Sequence, residues 1–184
     1  MREDLHRPSD SLTGSLLLAH PGLRDQNFKR TVVLMTSDGA DGAIGVVLNR
    51  PLNRHLGDLG GEFALSPLSG VLVFQGGPVQ TEQLILAAWK RQAHGFQLHL
   101  GLEPAAAINL LDQKNVHVRA YFGYAGWSAG QLKNELKQNT WIVADAPTDL
   151  FERPGDTTLW RNALGREGLE WRLLADEPEE TDRN

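Results

Sequence analysis

The sequence has no cysteine in its 184 residues, which excludes disulfide staples, thiolate nucleophiles, zinc ribbons and Cys-ligated iron–sulfur clusters. Long apolar runs are missing as well. The run nearest the N-terminus, Leu16-Leu17-Leu18-Ala19, is too short for a signal-peptide core, and nothing approaches the roughly 20 apolar residues that span a bilayer. A soluble cytoplasmic protein without membrane association is expected. Basic clusters are also absent: 18 lysines and arginines face 23 acids, for a formal charge of −5. Proteins that grip DNA draw most of their non-specific affinity from a basic surface, so direct nucleic-acid binding is not expected. The histidines contain no HExxH pattern, and His94 and His99 fit neither an i,i+4 helical pair nor alternate strand positions. No metal and no cofactor are therefore assigned. Trp89, Trp127, Trp141, Trp160 and Trp171 are scattered and form no stacking stripe for single-stranded nucleic acid.

What is present reads as one domain. A chain of this length can withdraw roughly 70% of its unfolded surface from water without a staple. Residues 1–11 are expected to be a flexible tail, 12–174 the globular body, and 175–184 an acidic disordered tail. Asp176, Glu177, Glu179, Glu180 and Asp182 against Arg183 give that end a charge of −4. Short apolar runs at Ser15–Ala19, Thr31–Met35, Ala43–Leu48, Val71–Phe74 and Leu84–Trp89 read as strands buried on both faces. Asp38-Gly39-Ala40-Asp41-Gly42 predicts an antiparallel hairpin between the second and third. Val116–Phe122 alternates apolar with larger polar side chains, as a strand with one wetter face near a sheet edge does. Gly95–Leu100 and Trp141–Ala144 are weaker strand candidates. Helices are predicted at Pro104–Leu111, Ala129–Gln138 and Thr157–Leu164, the last capped by Asp156 and ended by Gly165. The resulting class is α/β (α+β mixed): a mixed, partly antiparallel sheet with helices on both faces.

One segment supports two functions. Gly126-Trp127-Ser128-Ala129-Gly130 matches the G-x-S-x-G elbow and lies between a predicted strand and a predicted helix, the context in which that motif presents a serine nucleophile. A small serine hydrolase using Ser128 is the alternative reading. It needs a base downstream of the serine, whereas His6, His20, His55, His94, His99 and His117 all precede Ser128. Ser128 and Gln131 also form a capping box, in which the hydroxyl accepts from the Gln131 N–H while the Gln131 side chain reaches back. Capping explains Ser, Gln and their spacing; the elbow explains only the Ser and the glycines.

Two further turns carry chemistry-bearing residues. Gly76-Gly77-Pro78 ends a strand but lacks the Lys and Ser/Thr of a phosphate-binding loop, and Asn49-Arg50 ends another with a cation that suits an acid or an anion. The candidate ligand-binding set combines Asn49, Arg50, Gly76, Gly77, Pro78, Gly123, Gly126, Trp127, Ser128, Gly130 and Gln131. No catalytic residue is assigned.

Gly14-Ser15-Leu16-Leu17-Leu18-Ala19-His20-Pro21, Asn27-Phe28-Lys29-Arg30-Thr31-Val32, Gly42–Pro51, Gly76-Gly77-Pro78-Val79 and Gly123–Leu132, in that order and spacing, resemble the AlgH/YqgE family. Trp141, Asp149-Leu150-Phe151 and Leu159-Trp160 continue the likeness to Trp171. Lys133 stands where the family often has an acid, Thr36-Ser37 replaces a more usual Glu-His pair, and the family often has glycine at Ser128. The resemblance implies an AlgH-like three-layer bacterial α/β protein. It also implies a non-catalytic role in regulating gene expression, exerted through a protein partner or a small anionic ligand.

Overall fold

The computed structural model describes residues 11–177. The expected tails thus lie outside the described residues, apart from Ser11 and residues 175–177. Nine strands form one mixed sheet: β1 (Leu16–Ala19), β2 (Val32–Gly39), β3 (Gly42–Val47), β4 (Pro51–His55), β5 (Leu72–Gln75), β6 (Val79–Gln92), β7 (Gly95–Leu100), β8 (Val116–Ser128) and β9 (Trp141–Ala144). Four helices accompany them: α1 (Pro104–Leu111), α2 (Gln131–Lys137), α3 (Thr157–Glu167) and α4 (Leu169–Asp176).

The strands fall into two half-sheets. One runs β9-β1-β2-β3, antiparallel throughout, and its hairpin closes where the glycines predict, with Gly39 opposite Gly42. The other holds β4, β5, β6 and β7. The long strand β8 belongs to both. Its last residues pair antiparallel with β3, Ser128 lying opposite Gly42; its middle pairs parallel with β5 and antiparallel with β6. The edge position expected for Val116–Phe122 is thereby corrected to a central one. The face expected to be wetter is buried beyond His117, because the segment after β9 lies over it: Arg119 donates to the carbonyls of Phe151 at 3.0 Å and Arg153 at 2.8 Å.

Alternation along the strands divides the core between two faces. Leu16, Leu18, Val32, Leu34, Val46, Leu48, Phe74, Trp89 and Tyr121 pack under Leu150, Phe151, α3 and α4. On the opposite face, Leu17, Val33, Met35, Val47 and Trp127 meet α2, while Val71, Val73, Leu86 and Ala120 meet α1 and the short 3₁₀ turns that contain Leu56 and Leu68. This is the three-layer arrangement the resemblance implies. Trp89 shows how the segment after β9 is fixed: its ring stacks on Phe96 and on Phe151, and its Nε1–H donates to the Thr148 carbonyl at 3.0 Å.

Helix boundaries follow the caps. Asp156 Oδ1 accepts from the Thr158 N–H at 2.9 Å and opens α3 as expected. Gly165 does not close it; it lies against the Arg172 side chain, and the helix runs on to Glu167. α4 then extends to Asp176 with Ala175 buried, past the boundary expected at 174. No helix among the described residues is long and apolar enough to cross a membrane.

Candidate functional site

The segment from Tyr121 to Leu132 is mostly strand. β8 continues through Ser128, and α2 opens only at Gln131, after Gly130 at φ +77°. Ser128 is therefore not the N-cap that its spacing predicts. Half of the capping box survives: the Gln131 Oε1 accepts from the Ser128 N–H at 3.0 Å, and also from the Ser128 hydroxyl at 3.2 Å. No described histidine hydrogen-bonds to that hydroxyl, so the geometry gives the hydrolase reading no support.

Gln131 leads instead to a carboxylate. Its Nε2 donates to Glu135 Oε1 at 3.1 Å, while Glu135 Oε2 accepts from the indoles of Trp127 at 2.9 Å and Trp141 at 2.7 Å. The two indoles meet edge to face at 6.0 Å, with Phe28 against both. Glu135 thus clamps α2 onto β8 and β9. Trp127 and Gln131, two of the predicted ligand residues, are committed to this internal network. Sequence reading missed Glu135, although its i+4 spacing from Gln131 is a helical-face signal.

The glycine turns converge by packing on one another. Gly76 donates to the Phe122 carbonyl at 2.7 Å and accepts from the Val47 N–H at 2.8 Å. A Cβ on Gly77 would collide with the Tyr124 carbonyl, and one on Gly123 would stand 2.6 Å from the Gly77 oxygen. Close backbone approach is what these glycines supply. Gly126, Ser128, Gly130 and Gln131 lie toward the other end of β3, where Ser128 faces Gly42. The structure therefore brings Asn49, Arg50, Gly76, Gly77, Pro78 and Gly123 to one end of the sheet and leaves Gly126, Trp127, Ser128, Gly130 and Gln131 apart.

Asn49 is structural. It is buried, its Oδ1 accepts from the Val32 N–H at 2.9 Å, and its Nδ2 donates to the Arg30 carbonyl at 2.9 Å. Arg50 differs. Its guanidinium donates from one nitrogen to the carbonyls of Lys29 at 3.0 Å and Gln26 at 3.4 Å, and no described carboxylate forms an ion pair with it. It lines two cavities. One, of about 310 Å³, is lined by Gln26, Asn27, Val47, Gln75, Gly77, Pro78 and Thr81. The other, of about 460 Å³, is lined by Lys29, Arg30, Asn49, Thr157, Thr158, Trp160, Arg161 and Ala175. A cation facing amide and hydroxyl groups in a recess can hold a carboxylate or phosphate by charge-assisted hydrogen bonds.

The fold also assembles what the sequence does not display. Arg153, Arg161, Arg166 and Arg172, spaced between residues 153 and 172, share one groove at α3 and α4. Among the described residues, no group of three or more His, Asp or Glu side chains could hold a metal.

The AlgH-like family model, DUF179, matches residues 16–172. A UPF0301 protein of Streptomyces coelicolor is 37% identical over 95% of this chain and 96% of its own length, and one of Magnetococcus marinus is 35% identical over 90% and 94%. Among solved structures, the AlgH protein of Pseudomonas aeruginosa superposes with a TM-score of 0.66 at 28% identity, covering 98% of this chain and all of that one. A Corynebacterium diphtheriae protein gives a TM-score of 0.72 at 20% identity over 94% and 95% of the two chains, a likeness of fold.

Proposed function

The chain belongs to the AlgH-like family, and from that premise we propose that it is a non-catalytic cytoplasmic protein that binds a small anion beside Arg50 and regulates gene expression through a protein partner. The observation that carries this reading is the guanidinium of Arg50. It is half-buried, faces neutral polar groups in a recess, and has no ion-pair partner among the described residues. A cation so placed, with donors to spare, favours an anionic guest. Ser128, held by Gln131, supplies no nucleophile to this reading. Regulation is assigned to a partner rather than to DNA contact, which would show as affinity falling steeply with salt.

The test is thermal shift followed by calorimetry with inorganic phosphate, small di- and tricarboxylates and nucleoside phosphates, on the wild-type chain and on Arg50→Gln. A ligand that prefers the native state raises its apparent stability. The expected result is a concentration-dependent rise for at least one anion that Arg50→Gln abolishes. A flat response across the panel, or an equal rise in the variant, rejects the reading.

A further inference from the structure

The larger of the two cavities at Arg50, about 460 Å³, is a basic recess. Lys29, Arg30, Arg50 and Arg161 line it, and none of its lining residues is an acid. The acids that flank it in sequence are engaged. Asp25 accepts from the N–H groups of Asn27 and Phe28, Asp156 from the N–H and hydroxyl of Thr158, and Asp176 pairs with Arg161 at 2.8 Å. The last helix ends on the rim of this recess. Ala175 belongs to the lining, and two residues on, the Glu177 carbonyl accepts from Arg30 Nη2 at 3.3 Å, with the Arg30 guanidinium over the Trp160 ring at 5.5 Å. There the chain is turned out of the helix: Pro178 follows, and Glu177 is extended at φ −60°, ψ 129°, as the residue before a proline is.

We infer that residues 178–184 of this same chain fold back into the recess and answer its cations with Glu179, Glu180 and Asp182. Three observations select that occupant. The segment departs from the rim itself, so its carboxylates meet the recess at an effective concentration in the millimolar range, which a separate acidic partner does not have. Its reach suffices: the three acids lie two, three and five positions past Glu177, within roughly 7, 10 and 17 Å of it along an extended chain. The charges are complementary as well. With Arg161 set aside for Asp176, the lining still presents Lys29, Arg30 and Arg50, opposite three carboxylates with Arg183 as the one cation of the segment. A consequence follows that rests on the reading of Arg50 as an anion site. Arg50 lines both recesses, so the docked segment competes with an incoming anion for the same guanidinium, and the chain limits access to its own site. A segment docked about nine-tenths of the time weakens the apparent affinity for that anion about tenfold.

The experiment is zero-length carbodiimide cross-linking of the full-length chain, mapped by mass spectrometry. Lys29 is the lysine of the recess, whereas Lys133 and Lys137 stand on α2 across the sheet. The expected product is an intrachain amide between Lys29 and Glu179, Glu180 or Asp182. Its yield should fall about fivefold or more in Arg50→Gln, and likewise in wild type when salt is raised to about 0.5 M, where exposed charges are screened. Nearness of the segment to Lys29 would by itself give a yield that neither change alters, so an undiminished yield overturns the inference. Coupling to Lys133 or Lys137 as readily as to Lys29 overturns it too, as does a link that forms between copies in a mixture of isotope-labelled and unlabelled chains. Calorimetry with inorganic phosphate then reads the competition in the full-length variant Glu179→Gln/Glu180→Gln/Asp182→Asn. This variant should bind phosphate about tenfold more tightly than wild type, and equal affinities overturn the inference. If phosphate binds neither chain while the Arg50-dependent link forms, the anion reading of Arg50 fails and the docked segment stands. Unchanged far-ultraviolet circular dichroism shows that each variant is folded.

Discussion

Replacing Glu135 by alanine tests the central claim about the Gly123–Leu132 segment, that its aromatic and amide side chains are spent on internal structure. One carboxylate oxygen accepts from Trp127 at 2.9 Å and Trp141 at 2.7 Å, and those residues are 6% and 5% exposed. Leaving a buried donor unpaired costs ~1–3 kcal/mol, so two indoles bound the loss at ~2–6 kcal/mol. Glu135 itself is half-buried, and water reaching one indole brings the expected loss to about 2–4 kcal/mol. Glu135→Gln retains the shape and one carbonyl acceptor and should lose only about 1 kcal/mol, the charge-assisted part. Urea unfolding followed by far-ultraviolet circular dichroism reads both variants independently of the tryptophans, with an unchanged denaturant slope as the check on two-state behaviour. Ser128→Ala, an exposed site, serves as the control and should stay within ~0.5 kcal/mol. An alanine loss below ~1 kcal/mol, or equal losses for Ala and Gln, would refute the clamp.

Gly77→Ala should destabilise by at least ~3 kcal/mol in the same assay, since it adds a Cβ against the Tyr124 carbonyl at a backbone φ of +152°, whereas Gly126→Ala, with nothing nearer than 3.5 Å, should be close to neutral. Burial raises the Tyr121 phenol above its ordinary value, and the neighbouring Arg119 guanidinium offsets part of that rise. The folded state therefore keeps this proton after unfolded chains lose theirs near pH ~10, so the stability it contributes is complete below that pH and drains away as pH rises toward the folded value. Urea midpoints measured across the alkaline range should fall less steeply in Tyr121→Phe than in wild type.

The sheet was legible wherever burial imposes a pattern. Leu16–Ala19 and Val32–Met35 are buried on both faces and read as continuous apolar runs. β4 was not legible, because every one of its residues is exposed and Pro51 begins it, so the edge strand carries neither alternation nor an apolar run. β6 was cut short at Leu84 because its first part is displaced from register: Val79 lies opposite Tyr124 but Leu84 opposite Phe122, and the residues between bulge outward. α4 hid for a different reason, since Leu169, Leu173 and Leu174 point to water and only Ala175 is fully buried. Of the residues that line the recess beside Arg50, residue type alone singled out Arg50, Gly77 and Pro78 and passed over Gln26, Asn27 and Thr81. The arginine groove could not be read, since its members come from positions that only the packing of α3 on α4 draws together.

β8 also dictates the order in which this chain can be completed. Its partners β3, β5 and β6 all precede it in sequence, and β9, which covers the far side of β1, follows it. A ribosome-bound chain that has released everything before Val116 holds three separate groups of strands, β1-β2-β3, β4-β5 and β6-β7, with open edges until residues 116–128 emerge. The free energy of joining these groups then arrives in one late, long-range closure, which slow topologies of this kind pay for in loop entropy. A break introduced before Val116 should therefore leave no half that persists alone, and a substitution within β8 should slow folding of the whole molecule rather than loosen one side of it.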